Sequence, residues 1–247
     1  MDYKLSLVEH LTELRRRIII SLAALILASA VSFSFTSQLL YVLKAPAAGL
    51  IQKLVFFSPP EAFIIYMRIA FLSGLVISMP VILYQLWVFI SPAIQEKFKR
   101  HIVYFIFFSS LAFAVGCFFA YFVIIPPGLK FLLSFANQEL VPLISADKYI
   151  SFVTGLIACT GIVFQMPILS FLLTKLEVIN AAFLRKKYKY AVIGIFIAAA
   201  IITPTTDTFN MLIMAGPMLF LYEISIWVSF FAGNKKRSSE VNCYDID

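Results

Sequence analysis

Charged residues are scarce in this chain: they make up 13% of its 247 residues, against 62% that are hydrophobic. A soluble domain carries about twice that charged share, so a single water-exposed fold is excluded and an integral membrane protein is expected. Cysteine is scarce as well. Cys117 and Cys159 fall inside apolar segments and Cys243 in the tail, which leaves neither a disulfide framework nor a zinc spacing. The two histidines, His10 and His101, lie at segment boundaries. There is no serine set in a nucleophile elbow, no phosphate-cradling glycine loop and no cluster of metal ligands. No enzymatic activity, cofactor or metal is therefore expected. The net charge of +7 is assigned to loop bias, with no nucleic acid as partner. Ala28-Ser29-Ala30 has the small residues of a signal-peptide cleavage site. The long basic region before it contains two glutamates, however, and the apolar run continues past it, so cleavage is not expected.

What is present is a series of apolar stretches, at residues 18–35, 62–90, 102–125, 149–174, 190–202 and 211–231. The fold class predicted is all-α, with six membrane-spanning helices in one domain over residues 1–233 and a polar, disordered tail over 234–247. The run 18–35 suffices for a hydrocarbon core about 30 Å thick. Pro80 lies inside the second stretch and is expected to bend it. Pro126-Pro127-Gly128 is expected to stop the third. The loop 36–61, with Lys44-Ala45-Pro46, Gly49 and Ser58-Pro59-Pro60, discourages long regular structure, although a short amphipathic helix fits. The fifth stretch would make a helix of only roughly 20 Å, so either the bilayer thins around it or neighbouring helices cover its end.

Basic residues fix the orientation. Lys4 and Arg15 to Arg17, then Lys97, Lys99 and Arg100, then Lys175, Arg185, Lys186, Lys187 and Lys189, then Lys235, Lys236 and Arg237 make fifteen of the 20 lysines and arginines. All fall in segments that six crossings put on one side. That side is the cytoplasm, so both termini are inside.

The chain hangs from Val8-Glu9-His10-Leu11-Thr12-Glu13-Leu14-Arg15-Arg16-Arg17. Leu7, Leu11 and Leu14 recur at helical spacing, with Glu9 and Glu13 one turn apart on another face, so an amphipathic helix on the membrane surface is expected. Two readings of the charges stand at this point. Glu13 and Arg17 form an i,i+4 pair that serves only topology, or the acids are a site. Three polar residues in or beside apolar stretches need partners. Glu223 lies in the last stretch, where a carboxylate at mid-membrane costs about 2.5–3.5 kcal/mol. Gln165 is expected to hydrogen-bond another helix, of this chain or of a second protein. Asp207, after Thr203-Pro204, is placed to cap the last helix.

The order and spacing of several motifs make the sequence resemble the TatC family, the multispanning subunits of the twin-arginine protein translocase. They are His10-Leu11-Thr12-Glu13-Leu14-Arg15-Arg16-Arg17, Pro80-Val81-Ile82-Leu83-Tyr84-Gln85-Leu86-Trp87-Val88-Phe89-Ile90-Ser91-Pro92, Phe119-Ala120-Tyr121-Phe122, Tyr149-Ile150-Ser151-Phe152, Phe164-Gln165-Met166-Pro167, Leu184-Arg185-Lys186-Lys187, Thr203-Pro204 with Asp207, and Tyr222-Glu223-Ile224. The resemblance implies a cup-shaped, six-helix receptor without enzymatic activity, in the bacterial cytoplasmic membrane or an organellar one. It would bind twin-arginine signal peptides of folded cargo and assemble with single-span TatA and TatB partners and with further copies of itself. It also implies that Glu13 contacts the signal's arginines, supported by Arg15, Arg17 and Phe89, with Glu9 and Glu96 the other nearby cytoplasmic acids. Gln165, Thr203, Asp207 and Glu223 would serve partner docking, and Pro46 an outer-side role. Two departures stand out. Phe98 occupies the place of a family glutamate before Lys99-Arg100, two residues after Glu96, and Met211 stands where some relatives are polar. Two other readings remain open: a small transporter that uses Gln165, Asp207 and Glu223 as a polar path, although no paired halves are evident, and a passive scaffold for single-span helices.

Overall fold

A computed structural model describes residues 7–47, 54–90, 102–134, 143–203 and 208–244, with side chains described over 11–47, 54–90, 103–134, 143–203 and 208–232. Among these residues the structure is helical apart from turns and one isolated bridge, Val55 with Ser145. Helix α1 spans Leu7–Phe33 and α2 Thr36–Lys44, followed by a 3-10 turn at Ala45–Ala47. Then come α3 (Pro59–Ile90), α4 (Ile102–Phe119), a π-helical turn (Ala120–Ile124) and α5 (Ile125–Leu133). The remainder are α6 (Ala146–Val163), α7 (Met166–Lys175), α8 (Ala181–Lys186), α9 (Tyr188–Ile202) and α10 (Thr208–Tyr244). Five helical stretches are long and apolar enough to cross a membrane: Leu11–Phe33, Pro59–Ile90, Val103–Leu133, Ala146–Lys175 and Thr208–Ala232. With the shorter Tyr188–Ile202, they make up the six segments.

Two expectations change. No glycine or proline interrupts Leu7–Phe33, so the basic N-terminal stretch and the first crossing form one continuous helix instead of a separate surface helix. Pro126 and Pro127 do not stop the third crossing. Proline removes N–H donors and crowds the preceding turn, and here the backbone widens into the π turn. The Ile125 N–H reaches the Ala120 carbonyl, and the helix resumes with its prolines in the first turn, where a missing donor costs little. The short helix allowed for in the loop 36–61 is present as α2, followed by the 3-10 turn. Helix α10 continues to Tyr244.

Contacts divide the chain into two compact units. The first comprises Met1–Ala48, Lys53–Ala114 and Leu143–Thr154. In it α1 packs along α3, and the approach depends on Gly74: a Cβ there would overlap the Ser29 hydroxyl and come within 2.7 Å of the Ser29 backbone. Small residues let helices close in this way where lipid offers no hydrophobic drive for association. At the outer end, Arg68 Nη1 meets Asp147 Oδ1 at 2.7 Å and Tyr149 Oη donates to the Leu43 carbonyl at 2.8 Å. Around the Val55 bridge, Val55 N–H bonds Ile144 O and Ala146 N–H bonds Val55 O. The loops on that side are thus tied to helix ends.

The second unit comprises Gly49–Gln52, Val115–Pro142 and Gly155–Asp247. Its organiser is α10, which packs on α7, α9, α8 and α5. Thr174 and Ser229 share a buried hydroxyl bond at 2.7 Å, Lys175 Nζ donates to Ala232 O at 2.7 Å, and Tyr222 Oη donates to Leu184 O at 2.9 Å. Gly116 allows a second close approach, since a Cβ would lie 2.9 Å from Gly161 Cα.

Candidate functional site

The site builds on α1, where the register that buries α1 against α3 also turns Glu13 and Arg17 to one side. Glu13 Oε1 accepts from Arg17 Nη2 at 3.2 Å, one helical turn away, and Arg17 Nη1 donates to Gln85 Oε1 on α3 at 3.0 Å. The acid and the base keep side-chain exposures of 26% and 23%, whereas Gln85 is buried. A partly exposed pair of this kind contributes at most about 1 kcal/mol. Glu13 is therefore oriented by Arg17, yet a stronger donor can displace that contact.

Below this cluster runs an apolar groove of about 350 Å³. Leu14, Ile18, Ser21 and Leu25 of α1 form one wall, and Ile82, Leu86 and Phe89 of α3 form the other. Phe89 lies one turn from Gln85 and is half-buried. Arg17 and Gln85 also line the groove, as its polar side chains beside Ser21. This arrangement can take an extended or helical peptide with a cationic group at its polar end and apolar side chains beyond. A guanidinium is favoured over an ammonium there, because only the planar fork makes two parallel bonds to one carboxylate.

The expected site residues divide as follows. Glu13, Arg17 and Phe89 come together in the first unit. Arg15 is exposed on α1, with no ion pair among the described residues. Glu9 lies on α1, but its side chain is outside the described set, as are Glu96, Phe98 and Asp207. Pro46 sits half-buried in the 3-10 turn that ends α2. In the second unit, Gln165 occupies the turn between α6 and α7 and is the N-cap of α7, its carbonyl accepting from Leu169 N–H. Thr203 ends α9, and its hydroxyl is used within that helix, donating to Ala199 O at 2.8 Å. Glu223 is half-buried on α10, in neither of the two ion pairs found among the described residues.

Gln85 is the residue that the sequence reading missed. An amide within an uncharged apolar run, the signal that marks Gln165, marks this position too.

A family model described as "Sec-independent protein translocase protein (TatC)" matches residues 9–217. The TatC protein of Carboxydothermus hydrogenoformans is 36% identical over 239 residues, covering 97% of this chain and 98% of that one. The TatC protein of Aquifex aeolicus is 40% identical over 235 residues, covering 94% and 97%. A crystal structure described as the twin arginine translocase receptor TatC superposes with a TM-score of 0.83 at 40% identity, covering 91% of this chain and 99% of that one.

Proposed function

The chain belongs to the TatC family of Sec-independent protein translocase proteins, and from that premise we propose that it receives twin-arginine signal peptides at the cytoplasmic end of α1 and α3. It is a multi-pass membrane protein and a transport component rather than an enzyme. The observation that carries the reading is the Glu13 carboxylate, held by Arg17, a residue that itself lines the apolar groove. An arriving guanidinium takes over Glu13 by making two charge-assisted bonds where Arg17 makes one of 3.2 Å. Arg17 stays bonded to Gln85 and so need not be left without an acceptor. The apolar part of the signal then lies along Ile18, Leu25, Ile82 and Phe89. Arg15 supplies no acid to the signal's arginines and is placed to meet lipid headgroups or acidic groups of cargo.

Single-span partners of the TatA and TatB type, and further copies of the chain, complete the assembly. Gln165 supports partner docking, because it is a polar side chain at a turn within a crossing, where backbone irregularity requires cover by protein. The Thr203 hydroxyl is committed to the Ala199 carbonyl within α9.

The test is a titration of the purified chain in lipid nanodiscs with a twin-arginine peptide and its twin-lysine counterpart. Losing a charge-assisted bond of about 1.5–3 kcal/mol means that Glu13→Gln binds the arginine peptide roughly ten-fold or more weakly. Equal affinity for the two peptides in the native chain overturns the proposal.

A further inference from the structure

A second groove lies in the second unit, at the end of α10 that faces the cytoplasm. It measures about 380 Å³ and is lined by Ala181, Ala182 and Arg185 of α8 and by Ile226, Trp227 and Phe230 of α10. Its walls are fixed. Asn180 caps α8 by accepting from Phe183 N–H at 2.7 Å, and Tyr222 Oη holds the Leu184 carbonyl from α10. The two alanines keep the α8 side shallow, so that space remains open beside the Arg185 stem.

The groove is apolar within and cationic at its rim. Trp227 and Phe230 are 57% and 50% exposed, surfaces suited to acyl chain. Arg185 is exposed, and neither ion pair among the described residues involves it. The neighbouring Lys175 is already committed to the Ala232 carbonyl and the Phe171 ring, so the rim cation available to an anion is Arg185. Lys186, Lys187 and Lys189 are exposed beside it. Depth fits as well. The uncharged run of α10 gives way to Asn234-Lys235-Lys236-Arg237 a few residues after Phe230, so the rim lies at headgroup level, where tryptophan and arginine are favoured.

We propose that this groove binds an anionic phospholipid of the cytoplasmic leaflet, its phosphate on Arg185 and one acyl chain against Ile226, Trp227 and Phe230. Arginine suits the task because its fork pairs with phosphate in two bonds. Basic pockets between helices on the cytoplasmic side are sites where anionic headgroups are retained. The lipid would fix α8 and the basic segment that follows it against α10.

The chain's only other tryptophan, Trp87, is buried, so brominated lipid reads chiefly Trp227. The full-length chain is reconstituted in phosphatidylcholine vesicles containing a minor fraction of brominated phosphatidylglycerol, or the same fraction of brominated phosphatidylcholine. Preference for the anionic lipid is expected at roughly five-fold, the scale of one basic residue near an anionic surface, and Trp227→Phe identifies the part of the signal that arises in the groove. Arg185→Gln removes the preference without lowering thermal stability, since no described contact of that side chain supports the fold. Equal quenching by the two lipids makes the groove ordinary lipid-facing surface, and a preference that survives Arg185→Gln places the anion elsewhere. Either result overturns the proposal.

Discussion

Replacing Gln85 with leucine, a side chain of similar size, removes the one acceptor that draws Arg17 away from Glu13. A hydrogen bond to a charged group contributes about 1.5–3 kcal/mol when it is buried. Here Gln85 is 7% exposed but the Arg17 side chain keeps 23% exposure, and an arginine can carry its charged head toward water. The value is therefore discounted to about 1 kcal/mol. Without Gln85 the freed guanidinium turns onto Glu13, the remaining acid within reach, and competes with the signal's arginine. A competition of about 1 kcal/mol lowers peptide affinity roughly five-fold. The assay is a double-mutant cycle by peptide titration in nanodiscs, with Gln85→Leu measured in the native chain and in an Arg17→Gln background. In that background the competitor is gone, and Gln85→Leu should change affinity little. A full five-fold loss with Arg17 already removed would mean that Gln85 acts through groove packing, and it would refute the exchange between arginines. Unchanged affinity in the native background would refute it equally.

Gly74→Leu should lower the thermal stability of the purified chain by about 1–3 kcal/mol or more, because its Cβ overlaps Ser29; Gly194→Ala, with nothing within 4 Å of the added carbon, should be neutral or stabilising, and equal effects would discredit the α1–α3 contact. Arg68→Gln and Asp147→Asn, each alone, should cost less than about 1 kcal/mol in a melting experiment, and the double variant no more than the worse single one, since the pair is partly exposed; a coupling above about 2 kcal/mol would show that the outer clasp behaves as a buried pair. Gln165→Leu should accumulate normally and bind signal peptide, yet fail in transport. If it does not accumulate, the amide serves the fold and not a partner. A cysteine in place of Thr206, in a chain lacking Cys117, Cys159 and Cys243, should react with an impermeant thiol reagent from outside intact cells; reaction only after permeabilisation would replace the last two crossings with a re-entrant hairpin.

The number of crossings was legible because it rests on a one-dimensional property, the length of an uncharged run. Helix boundaries were less so. The change from Arg17 to Ile18 is sharp in polarity, and the sequence reading broke the first element there. The backbone responds to glycine, proline and hydrogen bonding, however, and none of these changes between Leu7 and Phe33. At Pro126-Pro127 a break was again read where the helix continues. A local rule reads paired prolines as a stop, but the widened turn at Ala120–Ile124 absorbs the missing donors. Of the cytoplasmic site, Glu13 and its i,i+4 partner Arg17 could be read from spacing. The tie to Gln85 could not, because it crosses 68 positions of sequence and depends on the register at which α1 meets α3, itself set by the fit of Ser29 over Gly74. Arg68 and Asp147 are a similar case: they stand 79 positions apart in sequence, and only the folded first unit makes them a pair.

The length of α9 is imposed by its ends. Thr203 is extended, with ψ 116°, as the residue before a proline must be, so Pro204 stops the helix at Ile202. At the other end Lys187 lies over the Tyr190 ring at 5.2 Å, in a cluster of lysines and tyrosines suited to the headgroup layer. Fifteen residues at 1.5 Å each span about 22 Å, some 8 Å less than a hydrocarbon core of about 30 Å. Because neither end can lengthen, the deficit passes to the surroundings. At fractions of a kcal/mol per Å it amounts to a few kcal/mol. Folding 190–231 back as a hairpin would cost more, since it sets Asp207 at depth for about 2.5–3.5 kcal/mol and leaves backbone groups between the two helices unpaired at several kcal/mol each. A full crossing through thinned lipid is therefore the lower-energy arrangement. The short length is fixed by proline at one end and by basic and aromatic anchors at the other, so lipid beside this helix carries the mismatch, and less additional work opens the bilayer there than at a helix of matched length.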